Sequence, residues 1–183
     1  MDGKCRFGKG RKEGLLILFT GGGKGKTTAA LGCAFRALGH GCRIRMIQFI
    51  KGPRGSGERR AAESFGGRME IRPMGRGFVR SAKDSARNKE IALHAWEFAK
   101  RSLDSPDCDL LILDELTYLV KFGFLQESEL LAALKARPPG LHVIVTGRDA
   151  PASLVETADM VTEMKEVKHP LKKGVAAVKG IDF

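Results

Sequence analysis

The stretch "TGGGKGKTT", residues 20–28, contains the residue types that bind phosphate groups in proteins. Glycines let backbone N–H groups turn toward phosphate oxygens, and a helix that begins after them adds partial positive charge. Lys26 could neutralise phosphate charge, and the Thr27 hydroxyl could bind magnesium. A Walker A loop reads G-x-x-x-x-G-K-[ST], but here Gly25 follows Gly21 one residue too early. We therefore do not expect this loop to bind the β- and γ-phosphates in the way that a standard Walker A loop does.

A second motif supplies carboxylates. The stretch "DLLILDE", residues 109–115, is an apolar run that ends in Asp114 and Glu115. A carboxylate at the carboxyl end of a parallel strand next to a phosphate loop can hold magnesium directly or through water. In many ATPases the second of two such acidic residues activates water, and the sequence leaves that role open for Glu115. The short loop argues against ordinary hydrolysis, but the two motifs together predict a nucleotide site.

The surrounding sequence predicts the elements that position these residues. An apolar strand over 14–20 precedes the loop, and alanines at helical spacing follow it over 26–41. Further strands and helices alternate along the chain, with an apolar strand of the buried type at 110–113. This order indicates an α/β protein with a three-layer, RecA-like P-loop fold, whose mostly parallel sheet is covered by helices on both faces. We expect one domain over residues 14–183.

Composition sets limits on the function. The net charge of +11 suits a polyanionic partner, which could be a nucleic acid or a triphosphate. With one tyrosine and one tryptophan, a surface that stacks nucleic-acid bases would be hard to build. The apolar runs are too short to span a bilayer. Residues 1–13 are basic and lack the apolar core of a signal peptide, so a cytoplasmic location is expected.

The four cysteines show no C-x-x-C pair and no histidine at metal-ligand spacing. We therefore expect reduced thiols rather than disulfides or a zinc site.

Several segments resemble the ATP:corrinoid adenosyltransferases. They are "FTGGGKGKTTAALGCAFRALGHG", "QFIKG", "LLILDELTYLVKFGFL", "VTGRDAP", "ADMVTEMKEVKHP" and "GVAAVKGIDF". The resemblance extends over residues 14–183 and includes the short phosphate loop. It implies transfer of the 5′-deoxyadenosyl group of ATP to the Co(I) centre of a corrinoid, with release of triphosphate, in adenosylcobalamin biosynthesis or salvage. Members of the family bind ATP in the reversed direction, which would explain the short loop.

The resemblance also implies roles for individual residues. Lys26, Thr27 and Glu115 would be catalytic, and Thr27, Asp114 and Glu115 would hold Mg²⁺. The expected ATP-binding residues are Gly21, Gly22, Gly23, Lys24, Gly25, Lys26, Thr27, Thr28 and Arg148.

Phe78 and Arg80 are the expected corrinoid-binding residues, since a loop at this place in the family presses aromatic side chains on the lower face of the corrin. Arg80 stands where the family often has an aromatic residue such as tryptophan, and a charged group is better solvated there. A packing role for Phe78 remains open.

At three other places in the sequence the role of the residues is open or is expected to be structural. His169 either lies near the substrate or caps a turn before Pro170. Trp96 on the long helix is expected in the core or an interface. Gln48 to Lys51, at the end of the second strand, lie on the same edge of the sheet as Arg148.

The expected partners are ATP and a reduced corrinoid, with no membrane and no nucleic acid. A homodimer and an electron donor such as a flavoprotein also fit the family. Two other classes stay open at this point: a RecA-like ATPase that acts on nucleic acid, which the charge and the Asp114–Glu115 pair support, and a non-catalytic ATP-binding regulatory module.

Overall fold

The computed structural model describes residue 5 and residues 13–52, 56–77, 85–105 and 107–182. The strands are β1 (Leu16–Thr20), β2 (Ile44–Gln48), β3 (Met69–Pro73), β4 (Leu110–Asp114), β5 (His142–Thr146) and β6 (Met160–Glu163). The α-helices are α1 (Lys26–Gly39), α2 (Gly57–Ala62), α3 (Ser85–Leu103), α4 (Thr117–Lys121), α5 (Glu127–Lys135) and α6 (Ala152–Thr157). Within the described ranges, short 3₁₀ helices cover Glu63–Phe65 and Pro170–Lys173.

The six strands form one sheet in the order β3-β2-β4-β5-β1-β6. All described pairings are parallel, with Leu16 opposite Val143 and Ile44 opposite Leu110. Because the carboxyl ends of parallel strands meet at one edge, the loops after β1, β2, β4 and β5 come together there. The predicted phosphate loop and the predicted carboxylates therefore lie on neighbouring parts of the same edge.

The core consists of two apolar layers, one on each face of the sheet. Along β1, Leu16 and Leu18 pack into the layer that includes α3 and α5, while Ile17 and Phe19 pack with α1 on the other face. Alternation of this kind follows from the two-residue period of a strand. Trp96 is fully buried in the first layer, and its Nε1 donates to Glu129 Oε1 at 2.7 Å, so the expectation of a core position is confirmed.

Strand β6 differs from the strands at the centre. It lies at the edge of the sheet, and all four of its residues are exposed. Coverage by helices on both faces thus applies to the central strands and not to β6. No helix within the described ranges has the length and apolar character needed to cross a membrane.

The expectation that all four cysteines are reduced is wrong. Cys5 and Cys42 form a disulfide, whereas Cys33 and Cys108 are free. The two bonded residues are separated by 37 positions, and β2 begins two residues after Cys42. Spacing along the chain does not show that Cys5 returns to the start of this strand, and so the pair could not be recognised from the sequence.

Candidate active site: a nucleotide cleft at the carboxyl edge of the sheet

The phosphate loop joins β1 to α1 and requires glycine at two of its positions. Gly21 has a φ of 95°, and a Cβ there would lie 2.5 Å from the carbonyl oxygen of Met164. Gly25 has a φ of 109° and immediately precedes α1. The chain after β6 supports the loop, since Gly23 N–H donates to Met164 O at 2.7 Å and Met164 N–H donates to Thr20 O at 2.8 Å.

Lys26 is held inside the loop that precedes it. Its side chain is 5% exposed, and Nζ donates to Gly21 O at 2.8 Å and to Gly23 O at 2.7 Å. An ammonium group has three N–H donors, so one is left for a phosphate oxygen. Burial lowers the pKa of Lys26, and the nearby carboxylate of Glu115 opposes this effect. The site thus contains a desolvated cation whose position is fixed before any ligand binds.

Asp114, the last residue of β4, lies beneath the cleft and connects strands β2, β4 and β5 with helix α1. It is fully buried, and its Oδ1 accepts hydrogen bonds from Thr27 Oγ1 and Thr146 Oγ1, both at 2.8 Å. Gln48 Nε2 donates to Oδ2 at 3.4 Å. Burial raises the pKa of Asp114, while the two threonine hydroxyls lower it. Thr27 and Asp114 are therefore brought together as expected, and Thr146, which belongs to no motif, joins them from β5.

Glu115 has an unusual backbone conformation. Its φ is 63°, which is uncommon for a residue other than glycine and costs on the order of 1–3 kcal/mol. The conformation is stabilised by a hydrogen bond from Glu115 N–H to Thr146 Oγ1 at 2.9 Å. Burial, and then the charge of Asp114, raise the pKa of the side chain. Its Oε2 is buried and has no hydrogen-bond partner among the described residues, which fits a place for a cation.

The cleft above these residues has a volume of about 750 Å³, in the range of small-molecule sites. Gly21 and Gly22 complete the loop but do not line the cleft. The predicted site residues that line it are Gly23, Lys24, Gly25, Lys26, Thr27, Thr28, Glu115 and Arg148.

Arg148 lies on the side of the cleft formed by the loop after β5. Its carbonyl oxygen accepts from Thr117 Oγ1 at 2.7 Å, which ties this loop to α4. The next residue, Asp149, also has a positive φ of 52° and pairs with Lys121 Nζ at 2.6 Å. Arg148 is thus placed to offer a second positive charge to a bound anion.

The opposite wall is formed by residues after β2. Lys51 Nζ and Glu58 Oε1 form an ion pair at 2.7 Å, and Gln48 Nε2 donates to the same oxygen at 3.2 Å. The sequence placed Gln48 and Lys51 at this edge. Glu58 was missed because it lies in the first turn of a short helix and belongs to no motif.

Residues near the end of the chain, after position 173, form the mouth of the cleft. Gly180, Ile181 and Asp182 line it, and Asp182 forms an ion pair with Lys24 of the phosphate loop. Asp182 Oδ2 also accepts from Val178 N–H at 2.7 Å. The contact between these residues and the loop was not anticipated, because nothing in their sequence indicates a partner so far away in the chain.

His169 does not line the cleft. Its Nδ1 accepts from Leu171 N–H at 3.1 Å at the start of the 3₁₀ helix, so the capping interpretation is confirmed. Phe78 and Arg80 lie outside the described residues.

Comparisons with known proteins show the family of the chain. The family model for ATP:corrinoid adenosyltransferase BtuR/CobO/CobP matches residues 12–183. The corrinoid adenosyltransferase of Pseudomonas aeruginosa is 42% identical over 172 residues, which cover 94% of this chain and 85% of that protein. The corrinoid adenosyltransferase CobA of Salmonella typhimurium is also 42% identical over 172 residues, covering 94% of this chain and 87% of that protein.

Among solved structures, the flagellar accessory protein FlaH from Methanocaldococcus jannaschii has a TM-score of 0.58 at 15% identity, covering 84% of this chain and 72% of that one. At this identity the likeness shows the fold alone, and it agrees with the predicted P-loop architecture. The relatives do not favour an ATPase that acts on nucleic acid. The chain belongs to the ATP:corrinoid adenosyltransferase family, and it is an enzyme whose substrates are ATP and a corrinoid.

Proposed function

We propose that the cleft binds ATP with its triphosphate on residues 21–28 and its ribose C5′ turned toward the corrinoid. In the reaction the electron pair of Co(I) attacks C5′, the Co–C bond forms and the C5′–O bond breaks. The electron pair of the broken bond leaves with the triphosphate. The observation that carries this proposal is the fixed position of Lys26 beside Asp114 and Glu115 in a cleft of nucleotide size.

Lys26 stabilises the leaving group. The triphosphate gains charge on its leaving oxygen as the C5′–O bond breaks, and a desolvated cation interacts with such charge more strongly than a solvated one. Because two loop carbonyls already fix Nζ, the charge needs no reorganisation during the reaction. Arg148 adds positive charge from the other side of the cleft.

The residues at the bottom of the cleft fit a magnesium ion. Thr27, Asp114 and Glu115 supply the hydroxyl and carboxylate oxygens that Mg²⁺ prefers, and Glu115 Oε2 is buried without a partner among the described residues. When bound, the ion would neutralise triphosphate charge. The Thr146 hydroxyl donates to the Asp114 carboxylate and accepts from the backbone N–H of Glu115, and so it fixes both residues.

No side chain has to act as a base, because the nucleophile is the cobalt of the substrate. The task of the protein is to position the two substrates and to stabilise the leaving group. Glu115 is accordingly assigned to the metal rather than to the activation of water.

Phe78 and Arg80 are assigned to the corrinoid. The support is the resemblance, together with the position of the described residues that precede them. Met74, Gly75 and Gly77 donate backbone hydrogen bonds to Gln48 O, Lys51 O and Ile50 O at 2.7–2.9 Å. The chain therefore enters this segment beside the wall of the cleft.

A homodimer and an electron donor such as a flavoprotein complete the proposal, and both rest on the family. Light scattering at micromolar protein concentration tests the first.

The test of the activity is an anaerobic reaction of the protein with chemically reduced cobalamin, ATP and Mg²⁺. The expected result is the absorption spectrum of adenosylcobalamin, with inorganic triphosphate as the second product. Release of orthophosphate that depends on DNA, without adenosylcobalamin, would contradict the proposal.

A further inference from the structure

The wall of the cleft after β2 contains a carboxylate to which the mechanism gives no role. Glu58 lines the cleft, and its side chain is 13% exposed. Lys51 Nζ and Gln48 Nε2 both donate to its Oε1. These contacts hold the pKa of Glu58 below its usual value although burial alone would raise it. The group is thus an oriented anion that faces a nucleotide cleft.

The hydrogen bonding of this wall is incomplete in the free protein. A carboxylate offers about four acceptor positions, and Lys51, Gln48 and the backbone N–H of Glu58 itself use three of them. Two further polar atoms nearby, Gln48 Oε1 and Ser56 Oγ, are buried and have no partner among the described residues. Of Glu58, Gln48 and Ser56, Glu58 is the residue that lines the cleft, so a ligand that brings a hydrogen-bond donor can reach its free acceptor position.

The position of Glu58 in the cleft indicates which part of ATP it would contact. On one side lies the phosphate loop, which lines the same cleft. On the other side the loop after β3 is tied to the loop after β2 by the bond from Gly75 N–H to Lys51 O at 2.9 Å. Residues 78–80, assigned to the corrinoid, follow this loop. The part of ATP between the triphosphate and the corrinoid is the ribose.

The other carboxylates that line the cleft are already engaged. Glu115 lies beside Lys26 and Asp114 at the proposed magnesium site, and Asp182 pairs with Lys24 at the mouth. Ribose hydroxyls are neutral donors, and an acidic side chain that accepts from them is a known solution in nucleotide-binding folds.

We propose that Glu58 binds a ribose hydroxyl of ATP and thereby sets C5′ against the corrinoid, with Lys51 and Gln48 as positioning residues that orient its carboxylate. This inference rests on the proposed function, because it requires the triphosphate on residues 21–28 and the corrinoid next to the loop after β3. It makes Glu58 a determinant of specificity for ribonucleotides.

The test measures the dissociation constants of ATP, 2′-deoxy-ATP, 3′-deoxy-ATP and inorganic triphosphate, all with Mg²⁺, by titration calorimetry. In the unaltered enzyme at least one deoxy analogue should bind about tenfold or more weakly than ATP, since a hydrogen bond to a charged group is lost. Glu58→Ala should remove this difference, and Glu58→Gln should reduce it. Neither substitution should weaken the binding of inorganic triphosphate, which also shows that the variant is folded.

Glu70→Gln is the matched control. Glu70 is likewise partly buried and paired with a cation, Arg45 at 2.7 Å, but it does not line the cleft. This variant should keep the full discrimination between ATP and its deoxy analogues.

Three results would overturn the inference. Glu58→Ala could retain the discrimination, or it could weaken triphosphate and ATP equally, which would show a role in building the phosphate loop. It could also shift the Mg²⁺ midpoint while the discrimination persists, which would assign Glu58 to the metal. The Lys26→Ala variant distinguishes a failure of the inference about Glu58 from a failure of the proposed function. If this variant binds triphosphate as tightly as the unaltered enzyme, the phosphate site is wrongly assigned, and the inference about Glu58 fails with it.

Discussion

The bottom and the mouth of the cleft are built in different ways. At the bottom, Lys26 and Asp114 are buried and each makes at least two hydrogen bonds of 2.7–2.8 Å. At the mouth, Ile181 is 81% exposed, and the contact with the phosphate loop is the ion pair between Lys24 and Asp182. The groups proposed to handle charge during the reaction are therefore fixed by the core, whereas the groups at the mouth are held by weak surface contacts.

The two regions differ because their residues follow different strands of the sheet. At the bottom, Asp114 and Thr146 end β4 and β5, and Lys26 follows the loop after β1. These three strands are adjacent, and their registers are set by buried pairings. The residues at the mouth come after β6, the exposed edge strand, through a stretch of turns. Substitutions at the bottom should accordingly have large effects, and those at the mouth should have small ones.

Lys26→Ala should have the largest effect. The variant loses the buried cation next to the leaving group, and a charge-assisted contact of this kind contributes about 2–4 kcal/mol to the transition state. Adenosylation at saturating corrinoid should fall by about 30-fold or more. Lys100→Ala, which removes a cation of α3 outside the cleft, serves as the control and should retain the activity. Retention of more than about a tenth of the activity by Lys26→Ala would contradict the assignment.

Glu115→Gln should weaken magnesium binding by about tenfold or more, because a ligand charge is removed without loss of volume. The measurement is the Mg²⁺ concentration that gives half-maximal adenosylation. An unchanged midpoint with tightly retained ATP would indicate that Glu115 activates water, as in an ATPase.

The same glutamate should give the reaction a pH dependence. Burial and the charge of Asp114 raise the pKa of Glu115, so on acidification it becomes protonated at a higher pH than an ordinary glutamate. The apparent affinity for Mg²⁺ should therefore fall as the pH drops through this raised pKa. In Glu115→Gln this part of the pH dependence should be absent.

Phe78→Ala tests the corrinoid side of the site. An apolar group under the corrin would favour cobalt without its lower ligand, and Co(II) in that form is easier to reduce. Activity should fall sharply, by about tenfold, when the assay starts from Co(II) with a mild reductant, and much less when Co(I) is supplied. Arg80→Trp should improve the Co(II) reaction and leave the Co(I) reaction nearly unchanged. Equal losses in both assays for Phe78→Ala would show that the residue is structural.

The sequence predicted the bottom of the cleft well, because two local motifs define it. Lys26, Thr27 and Asp114 come together as the phosphate loop and the acidic strand end require. Thr146 could not be predicted, since a threonine at the end of an apolar strand is common and its role depends on β5 being next to β4. Helix α4, with only five residues, is too short to show a helical period.

Asp114→Asn should reveal that the bottom of the cleft is arranged for function rather than for stability. Burial raises the pKa of Asp114, so between its ordinary pKa of 3.8 and the raised value the folded state binds more protons than the unfolded state. The stability of the free protein must then decrease as pH rises through this window. Asp114→Asn should unfold at a higher urea concentration than the unaltered protein at pH 7, and this part of the pH dependence should vanish. Equal urea midpoints at pH 7 would contradict this account.

Asp182→Asn should have the smallest effect on ligand binding, and it should strengthen binding rather than weaken it. The substitution removes a negative charge from the mouth of the cleft and frees Lys24 to interact with phosphate oxygens. Because exposed ion pairs contribute little, we expect inorganic triphosphate to bind about two- to fivefold more tightly, and the gain to shrink at high salt. Asp107→Asn, which breaks the exposed pair with Arg43 away from the cleft, is the matched control and should change nothing. If Asp182→Asn instead weakens triphosphate binding by about tenfold, the mouth contributes as much to binding as the bottom, and the contrast between the two regions is wrong.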